Sequence, residues 1–390
     1  MEVSTAVPKR TVRGEALVIA VLSAVAVVAL LIVFALVNRF RDWQTALADR
    51  TYRHGLNEMD YGSASQAIEY FRSALFFQPD NFDYQFSLAQ GLENAGRFDE
   101  AEAYLQNLWE KQPQSGSVNL QLGRLAAHRH QTADVLRYYH NAIYGIWKSD
   151  PDQNRRIARL ELVDFLIANN DVTQAQAELI AMQAGLPSDP RLHTQLANLF
   201  MSISDYEHAF AEFREARQLD RQNIQPLAGA GIAAFKLGRF RTALHFLDAA
   251  VRAGDRDPEI RNLLETAELV ISSNTRARGI SLAERIARVQ KDFTTAKGRL
   301  QQCMRAHGEA TAESATGDSR SSSLAQLATR AAQLAPTVRR PAVLNDPNER
   351  EDIMEFVFDV EEETEDACGT PTGADLALLL LGRSQESAEQ

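Results

Sequence analysis

Side chains able to do chemistry are few in this chain, and their spacing matches no catalytic motif. Its 390 residues contain no Gly-rich phosphate loop, no His-Glu-x-x-His, no Gly-x-Ser-x-Gly and no Cys-x-x-Cys-His. His128 and His130 would point to different sides of a helix, and no cysteine or carboxylate completes a tetrahedral set with them and His140. Cys303 and His307 have the spacing of two ligands on one helix face, but two ligands do not make a site. We therefore expect no catalytic residue, metal or cofactor.

Negative charge is concentrated near the C-terminus. Residues 345–366 carry eleven acidic side chains and one arginine, while the whole chain has a net charge of −11. The three glutamates at 361–363 lack the turn glycine and the spaced oxygen ligands of a calcium loop, so solvated charge is the better interpretation. Apolar residues alternate with other types from 354 to 360, which predicts a short strand with one apolar face.

A leucine-rich run at residues 374–381 follows the acidic segment. Left in water it would form a large exposed apolar patch, so it must pack on this chain or on another. The two cysteines, Cys303 and Cys368, could form one disulfide in an extracytoplasmic compartment, or they could be two unrelated buried thiols. We predict that the tail docks on this chain's own helices and that the disulfide holds it there.

The N-terminal region contains a membrane-span pattern. Residues 16–37 carry no charge and only Ser23 as a polar side chain. A helix of this length spans a hydrocarbon core of about 30 Å. A cleaved signal peptide usually has an apolar region of about 7–15 residues, so we predict an uncleaved anchor at 15–38 after a tail at 1–14. Basic residues flank the run on both sides and do not set its orientation. The lack of a second span favours a cytoplasmic tail with the body across the membrane.

The middle of the chain repeats at a step of 34 residues. One column of the repeat, which resumes after a six-residue insertion, contains Gly55, Ala89, Gly123, Val163, Ala197 and Gly231. A second column contains Ala67, Ala101, Val135, Ala175, Ala209 and Ala243. Turn residues between helices are expected at Gly96, Asn170, Ser204 and Gly238, because glycine and asparagine tolerate the left-handed conformation. A period of this length predicts stacked helical pairs.

This register resembles the tetratricopeptide repeat family, in which small residues lie where two helices cross and a proline, here Pro79, Pro113 and Pro187, closes the unit. The resemblance implies an all-α solenoid of six units at residues 48–257. Trp147 departs from it by standing at a proline position, so we expect a longer second helix in the third unit or a displaced junction.

The resemblance implies binding rather than catalysis. We expect a membrane-tethered scaffold for protein–protein interaction at the cell envelope, with no nucleic-acid partner. The alternative is an accessory subunit of an envelope enzyme system, such as cytochrome maturation or polysaccharide export. The anchor and family together suggest a single-pass protein of a bacterial inner membrane with a periplasmic body.

Relatives bind partners in a groove lined by the first helix of each unit. The Lys and Asn that some of them use to clamp a C-terminal carboxylate are absent at the matching positions here, so the groove favours an amphipathic helix or an extended peptide. We expect about half of the matching positions to be inter-repeat core. These positions are Tyr52, Leu56, Met59, Phe86, Gln90, Glu93, Leu120, Arg124, Leu160, Asp164, Ile167, Thr194, Asn198, Met201, Ile232 and Phe235.

Beyond the repeats, residues 258–307 predict a capping helix and a longer amphipathic helix. Apolar residues recur in steps of three and four at 282–303, which suits either packing on the array or a homodimeric coiled coil. Residues 308–344 are predicted to be a flexible linker. Residues 345–390 would then form a small tail domain with the short strand.

Overall fold

The computed structural model describes the backbone of residues 12–311 and 319–389. It divides into two compact units, Met1–Asn170 and Asp171–Gln390, which are treated separately below. Within the described residues there are 17 α-helices, one short 3-10 helix and no strand, so the predicted all-α class is confirmed.

The first unit is a run of antiparallel helices in which each helix packs on the next. The third pair is followed by α7, the first helix of the fourth repeat. The helices are α1 (Val12–Asp60), α2 (Ala64–Phe77), α3 (Phe82–Asn94), α4 (Phe98–Lys111), α5 (Gly116–His128), α6 (Thr132–Tyr144) and α7 (Pro151–Ala168).

Small residues let the paired helices approach closely. A Cβ atom on Gly55 would lie 2.5 Å from the Phe71 ring, and one on Gly123 would lie 3.0 Å from the Tyr139 ring. Both distances are shorter than carbon atoms tolerate, so larger residues would push the helices apart. The repeat register thus places its small residues at helix crossings.

The predicted turn residues adopt the left-handed conformation. The φ angles are +73° at Gly96, +60° at Asn170, +62° at Ser204 and +69° at Gly238. His130 occupies the same position of the third repeat with a φ of +56°. The turn between α5 and α6 therefore accounts for His130 at this position.

The junction around Trp147 is displaced, and α6 is not extended. The indole Nε1 of Trp147 donates a hydrogen bond to the Ala142 carbonyl at 2.9 Å, and the ring covers Gly116, where a Cβ atom would lie 2.3 Å away. The inserted residues lengthen the start of α7, which begins at Pro151. Proline suits the first turn of a helix because its missing N–H would have no intrahelical partner there.

The second unit continues with helices that pack in sequence from α8 to α13, followed by a cluster of four helices. The helices are α8 (Val172–Gln183), α9 (Pro190–Ser202), α10 (Tyr206–Leu219), α11 (Gln225–Lys236), α12 (Phe240–Arg252), α13 (Pro258–Ser273), α14 (Leu282–Thr311), α15 (Ser319–Val338), α16 (Pro347–Cys368) and α17 (Gly373–Glu389). The 3-10 helix Val343–Asn345 lies between α15 and α16.

The apolar stripe of α14 is buried inside this unit. Val289, Ala296 and Leu300 are within 1% of complete burial and pack with residues of α15 and α16. A homodimeric coiled coil through residues 282–303 would need the same surface. The structure therefore contradicts homo-oligomerisation by this route and supports packing within the chain.

The flexible linker predicted for residues 308–344 is wrong over most of its length. Its central part forms α15, which buries Leu324, Ala331 and Val338 in the same apolar cluster. These residues recur at multiples of about one helical turn, so α15 has an apolar stripe. The predicted linker residues 312–318 lie outside the described part of the chain.

The predicted short strand at residues 354–360 is also wrong. The segment belongs to α16, whose N-cap Asp346 accepts a hydrogen bond from the Asn348 N–H at 3.0 Å. Burial follows the helical period, because Ile353 and Val357 are fully buried together with Phe356 and Val360, whereas Phe358 is only partly buried. Local alternation could not distinguish these two patterns.

The leucine-rich tail forms α17 and docks within the second unit. Ala377 and Leu381 pack against Phe240 of α12 and Val270 of α13. In the structure Cys303 of α14 and Cys368 of α16 are joined as a disulfide with their Cα atoms 5.8 Å apart. This separation lies in the ordinary range for disulfides. The cross-link ties together two helices that flank α17.

Candidate peptide-binding groove

One cavity in the first unit collects several of the predicted groove residues. Its volume is about 410 Å³, a size typical of ligand pockets. Helices α1, α3, α4 and α5 supply its walls. The lining residues are Met59, Gln90, Glu93, Asn94, Phe98, Gln121, Arg124, Leu125 and His128.

The helical period and the repeat step together bring these residues to one surface. Gln90, Glu93 and Asn94 lie on one face of α3, since positions three and four apart are neighbours on a helix. Arg124 and His128 occupy on α5 the positions that Gln90 and Asn94 occupy on α3, one repeat earlier. Stacking of α3 on α4 and of α4 on α5 then opens the cavity along these faces.

The guanidinium group of Arg124 is already bound. Its Nε and Nη2 atoms donate to both carboxylate oxygens of Glu161 at 2.9 and 2.6 Å, and Nη1 donates to Gln121 at 3.2 Å. The hydroxyl of Tyr139 donates to the same Glu161 carboxylate at 3.1 Å. The hydrogen bonds that Arg124 donates to Glu161 raise the pKa of Arg124 above its ordinary value. Arg124 therefore lines the cavity as a guanidinium group that is paired with Glu161.

Glu93 is the contrasting acid. Its side chain is half-buried in the cavity, and no protein group among the described residues forms a hydrogen bond or ion pair with its carboxylate. Burial raises the pKa of Glu93 to about 7, while nearby Arg124 opposes the shift. Because water is partly excluded, the charged form loses solvation without gaining a partner.

Aromatic and apolar groups complete the cavity. The rings of Phe98 and His128 pack at a tilt of 36° with their centroids 4.1 Å apart. Arg129 holds α5 on α4 by donating at 2.6 Å to both Asp99 and Glu102. The cavity thus combines two packed aromatic rings, those of Phe98 and His128, with amide and carboxyl groups.

The other predicted groove residues of the first unit lie outside this cavity. Tyr52 packs its ring 4.6 Å from that of Tyr84 and shares a hydrogen bond of 3.0 Å with Ser87, so it belongs to the inter-helix core. Phe86 stacks on the Phe82 ring with centroids 6.1 Å apart. Leu56 is exposed.

In the second unit the predicted groove residues do not form one site. Asn198 is exposed and Met201 partly so. Ile232 packs in the α11–α12 core, and the Phe235 ring lies 5.4 Å from that of Phe240. Because α17 packs on the same apolar cluster, Phe235 is covered by the chain's own tail.

Five lining residues were missed by the spacing rule of the family. Asn94 and His128 lie one helical turn beyond the positions that the rule selects, and Phe98 begins the second helix of its pair. Gln121 and Leu125 are almost fully buried, which no sequence pattern showed. The step of 34 residues between Asn94 and His128 was the one available signal.

A second group of acids is buried in the second unit. Glu361 of α16 is fully buried, and neither of its carboxylate oxygens has a protein hydrogen-bond partner. Burial and the nearby Asp375 of α17 raise its pKa to about 8, against the opposing effect of Arg299 of α14. The Arg299 Nη2 atom instead donates to the Gly369 carbonyl at 2.7 Å. None of these residues lines the cavity of the first unit described above, and the carboxyl group of Glu361 is internal.

Residues 58–122 and 204–266 match the tetratricopeptide repeat family. The matched segments contain helical pairs of both units, so the chain contains tetratricopeptide repeats in each unit. These repeats support an interpretation of the protein as an interaction scaffold with a protein partner. No curated protein matches the sequence.

Several solved structures resemble it. PilW, a widely conserved type IV pilus biogenesis factor, is 18% identical with a TM-score of 0.38, over 56% of this chain and 98% of PilW. Pseudomonas aeruginosa PilF is 17% identical with a TM-score of 0.39, over 57% of this chain and 96% of PilF. YrrB, a tetratricopeptide repeat protein with an unusual peptide-binding site, is 15% identical with a TM-score of 0.37, over 49% of this chain and 94% of YrrB.

Proposed function

We propose that this protein is a membrane-tethered scaffold that holds a peptide segment of its partner in the cavity of the first unit. One observation carries the proposal: the helix that supplies Met59 to the cavity also contains the apolar span. Helix α1 runs without interruption from Val12 to Asp60 and includes a stretch long and apolar enough to cross a membrane.

The continuous helix would hold the cavity at a set distance from the membrane. A rise of 1.5 Å per residue places Met59 about 33 Å from Val37, the end of the uncharged run. Phe40 and Trp43 follow that run as exposed, stacked rings with centroids 6.0 Å apart. Aromatic rings of this kind prefer the membrane–water interface. The tether is therefore a rigid spacer.

The cavity itself suits a peptide. Side-chain amides of Gln90 and Asn94 can each donate and accept hydrogen bonds, as an extended backbone requires. Met59 and Leu125 add apolar contact, and methionine adapts its shape to different ligands. An extended segment can use both kinds of contact at once.

Site-specific photocrosslinking in intact cells tests the groove. A benzophenone amino acid at Gln90 should crosslink to a discrete partner, identified by mass spectrometry. The matched control is the same amino acid at exposed Asn107 of α4, outside the cavity. Equal crosslinking patterns from the two positions would contradict the proposal. Copurification of an enzyme complex with the crosslinked partner would favour the accessory-subunit alternative.

Thiol labelling tests the orientation, which we propose to be a cytoplasmic tail with an extracytoplasmic body. A Cys at exposed Gly185, where added side-chain atoms meet open space, should react with a membrane-impermeant maleimide once the outer barrier is opened. A Cys at Ser4 should react only after lysis. The reverse pattern would place the body in the cytoplasm.

A further inference from the structure

The cavity of the first unit has one acid, Glu93, that forms no hydrogen bond or ion pair with a protein group among the described residues. Its charged or titratable lining groups are Glu93 of α3 and Arg124 and His128 of α5, while α1 and α4 contribute Met59 and Phe98. The Arg124 guanidinium is held by Glu161, as described above. This leaves the carboxyl group of Glu93 with only the longer-range attraction of Arg124 and no direct cationic contact.

The surroundings of Arg124 add to the negative potential. Asp164, which lies near Glu161 on α7, has a pKa raised by burial and by the Glu161 charge. Two acids, Glu93 and Glu161, act on the one arginine, Arg124. An anionic ligand group would meet this surplus without a free cationic partner, whereas a cation would relieve it.

The walls of the cavity match the stem of a long basic side chain. Met59, Leu125 and Phe98 present apolar surface, along which the methylene groups of lysine or arginine can pack while the charged end reaches a carboxylate. A volume of about 410 Å³ accommodates such a side chain with its flanking backbone.

We propose that the bound peptide inserts a lysine or arginine side chain into this cavity, with its stem against Met59, Leu125 and Phe98 and its charge on Glu93. The proposal rests on the proposed function, because it names the chemistry of the partner that the groove would hold. It predicts a preference for one basic residue at a defined position of the peptide.

Peptide pools test this preference on the full-length protein in nanodiscs. The probes are random twelve-residue pools in which one position at a time is fixed as Lys, Arg, Met or Glu. At one position the Lys or Arg pool should bind at least tenfold better than the Met pool. Glu93→Gln should reduce this ratio to within twofold, and Glu100→Gln, an exposed change outside the cavity, should leave it intact.

The pool experiment separates the two proposals. Binding of pools with a preference for Met or Glu, or with no preference, would overturn the cation site alone. No binding above that of empty nanodiscs would overturn the groove as well. A Lys or Arg preference that survives Glu93→Gln would also reject the assigned role of Glu93.

The pH dependence of binding gives a second readout. Free Glu93, with its pKa near 7, must lose its proton to pair with a cation. Binding of the best Lys pool should therefore weaken about tenfold from pH 8 to pH 6. His128 is the other titratable group that lines the cavity, so His128→Gln is the control that should keep the effect. A pH-independent affinity in the His128→Gln variant would contradict the proposal.

Discussion

The two units both bury carboxyl groups that lack protein partners, but they do so in different places. Glu93 of the first unit opens into a cavity, whereas Glu361 of the second unit is fully buried between helices. Burial raises the pKa of each group, to about 7 and about 8 respectively. A ligand can reach the first acid and cannot reach the second. The same physical effect therefore points to binding in one unit and to pH-dependent stability in the other.

The largest predicted effect is loss of the cross-link that distinguishes the second unit. The double variant Cys303→Ala, Cys368→Ala removes a link between residues separated by 65 positions. Closing a loop of that length restricts the unfolded chain by about 4 kcal/mol in the entropy model. Hydrogen exchange should show this loss in α14 and α16 and little change in the first unit. Two free thiols in oxidised wild-type protein would remove the basis of the prediction.

The next effect tests the helix crossings. A Cβ atom on Gly231 would lie 2.6 Å from Leu247 Cδ2 and 3.1 Å from the Leu247 backbone nitrogen. Gly231→Leu should therefore cost at least about 1–3 kcal/mol, since overpacking would also displace backbone. Glu100→Ala, on an exposed face, should cost at most about 0.5 kcal/mol despite its contacts with Arg72 and Arg97. Equal shifts in urea midpoint would show that the repeat register is wrong.

Glu361→Gln tests the fully buried acid of the second unit directly. The folded state keeps the Glu361 proton up to a pKa of about 8, while the unfolded chain loses it near the ordinary value of 4.5. Folded protein therefore binds more protons between these values, and stability falls as pH rises from about 5 to 8. The glutamine variant should be more stable by roughly 1–3 kcal/mol at pH 8 and unchanged near pH 4.

Hydrogen exchange of α16 peptides across this pH range measures that effect. Some slope should remain in the variant, because Asp292 of α14 is also buried with a pKa raised to about 7. Its Oδ1 atom accepts a hydrogen bond from Ser273 at 3.1 Å, and its Oδ2 atom has no protein partner. A wild-type stability that rises with pH would have the opposite sign to this prediction.

The smallest effect completes the comparison. Glu93→Gln should stabilise α3 at pH 7 by less than Glu361→Gln stabilises α16 at pH 8, because the rise in the pKa of Glu93 is smaller and its side chain is partly exposed to solvent. The variant should instead lose ligand preference, as described above. If Glu93→Gln stabilised its unit as strongly as Glu361→Gln, the distinction between an accessible and a sealed acid would fail.

Sequence predicted the parts of the fold that depend on local or periodic features. Turn residues such as Gly96 and Gly238 were found because a left-handed φ angle restricts the residue type at that position. Small residues at crossings were found because Gly55 and Gly231 recur at the repeat step. The membrane-span pattern in α1 is likewise a property of composition and length alone.

Part of the candidate site was also visible in this way. Met59, Gln90, Glu93 and Arg124 follow from the repeat register and line the cavity. The register could not show that the Nε and Nη2 atoms of Arg124 both donate hydrogen bonds to Glu161, which lies on a different helix. The charge balance of the cavity, and with it the role assigned to Glu93, needed that contact.

Only tertiary structure decided the fate of the C-terminal segments. The apolar residues of α16 suit a strand or a helix, and burial of Ile353 and Val357 against neighbouring helices selects the helix. Likewise, Cys303 and Cys368 lie far apart along the chain and meet because α14 packs on α16. Local patterns determine which conformations a segment can adopt, whereas the surface available for burial determines which of them is adopted.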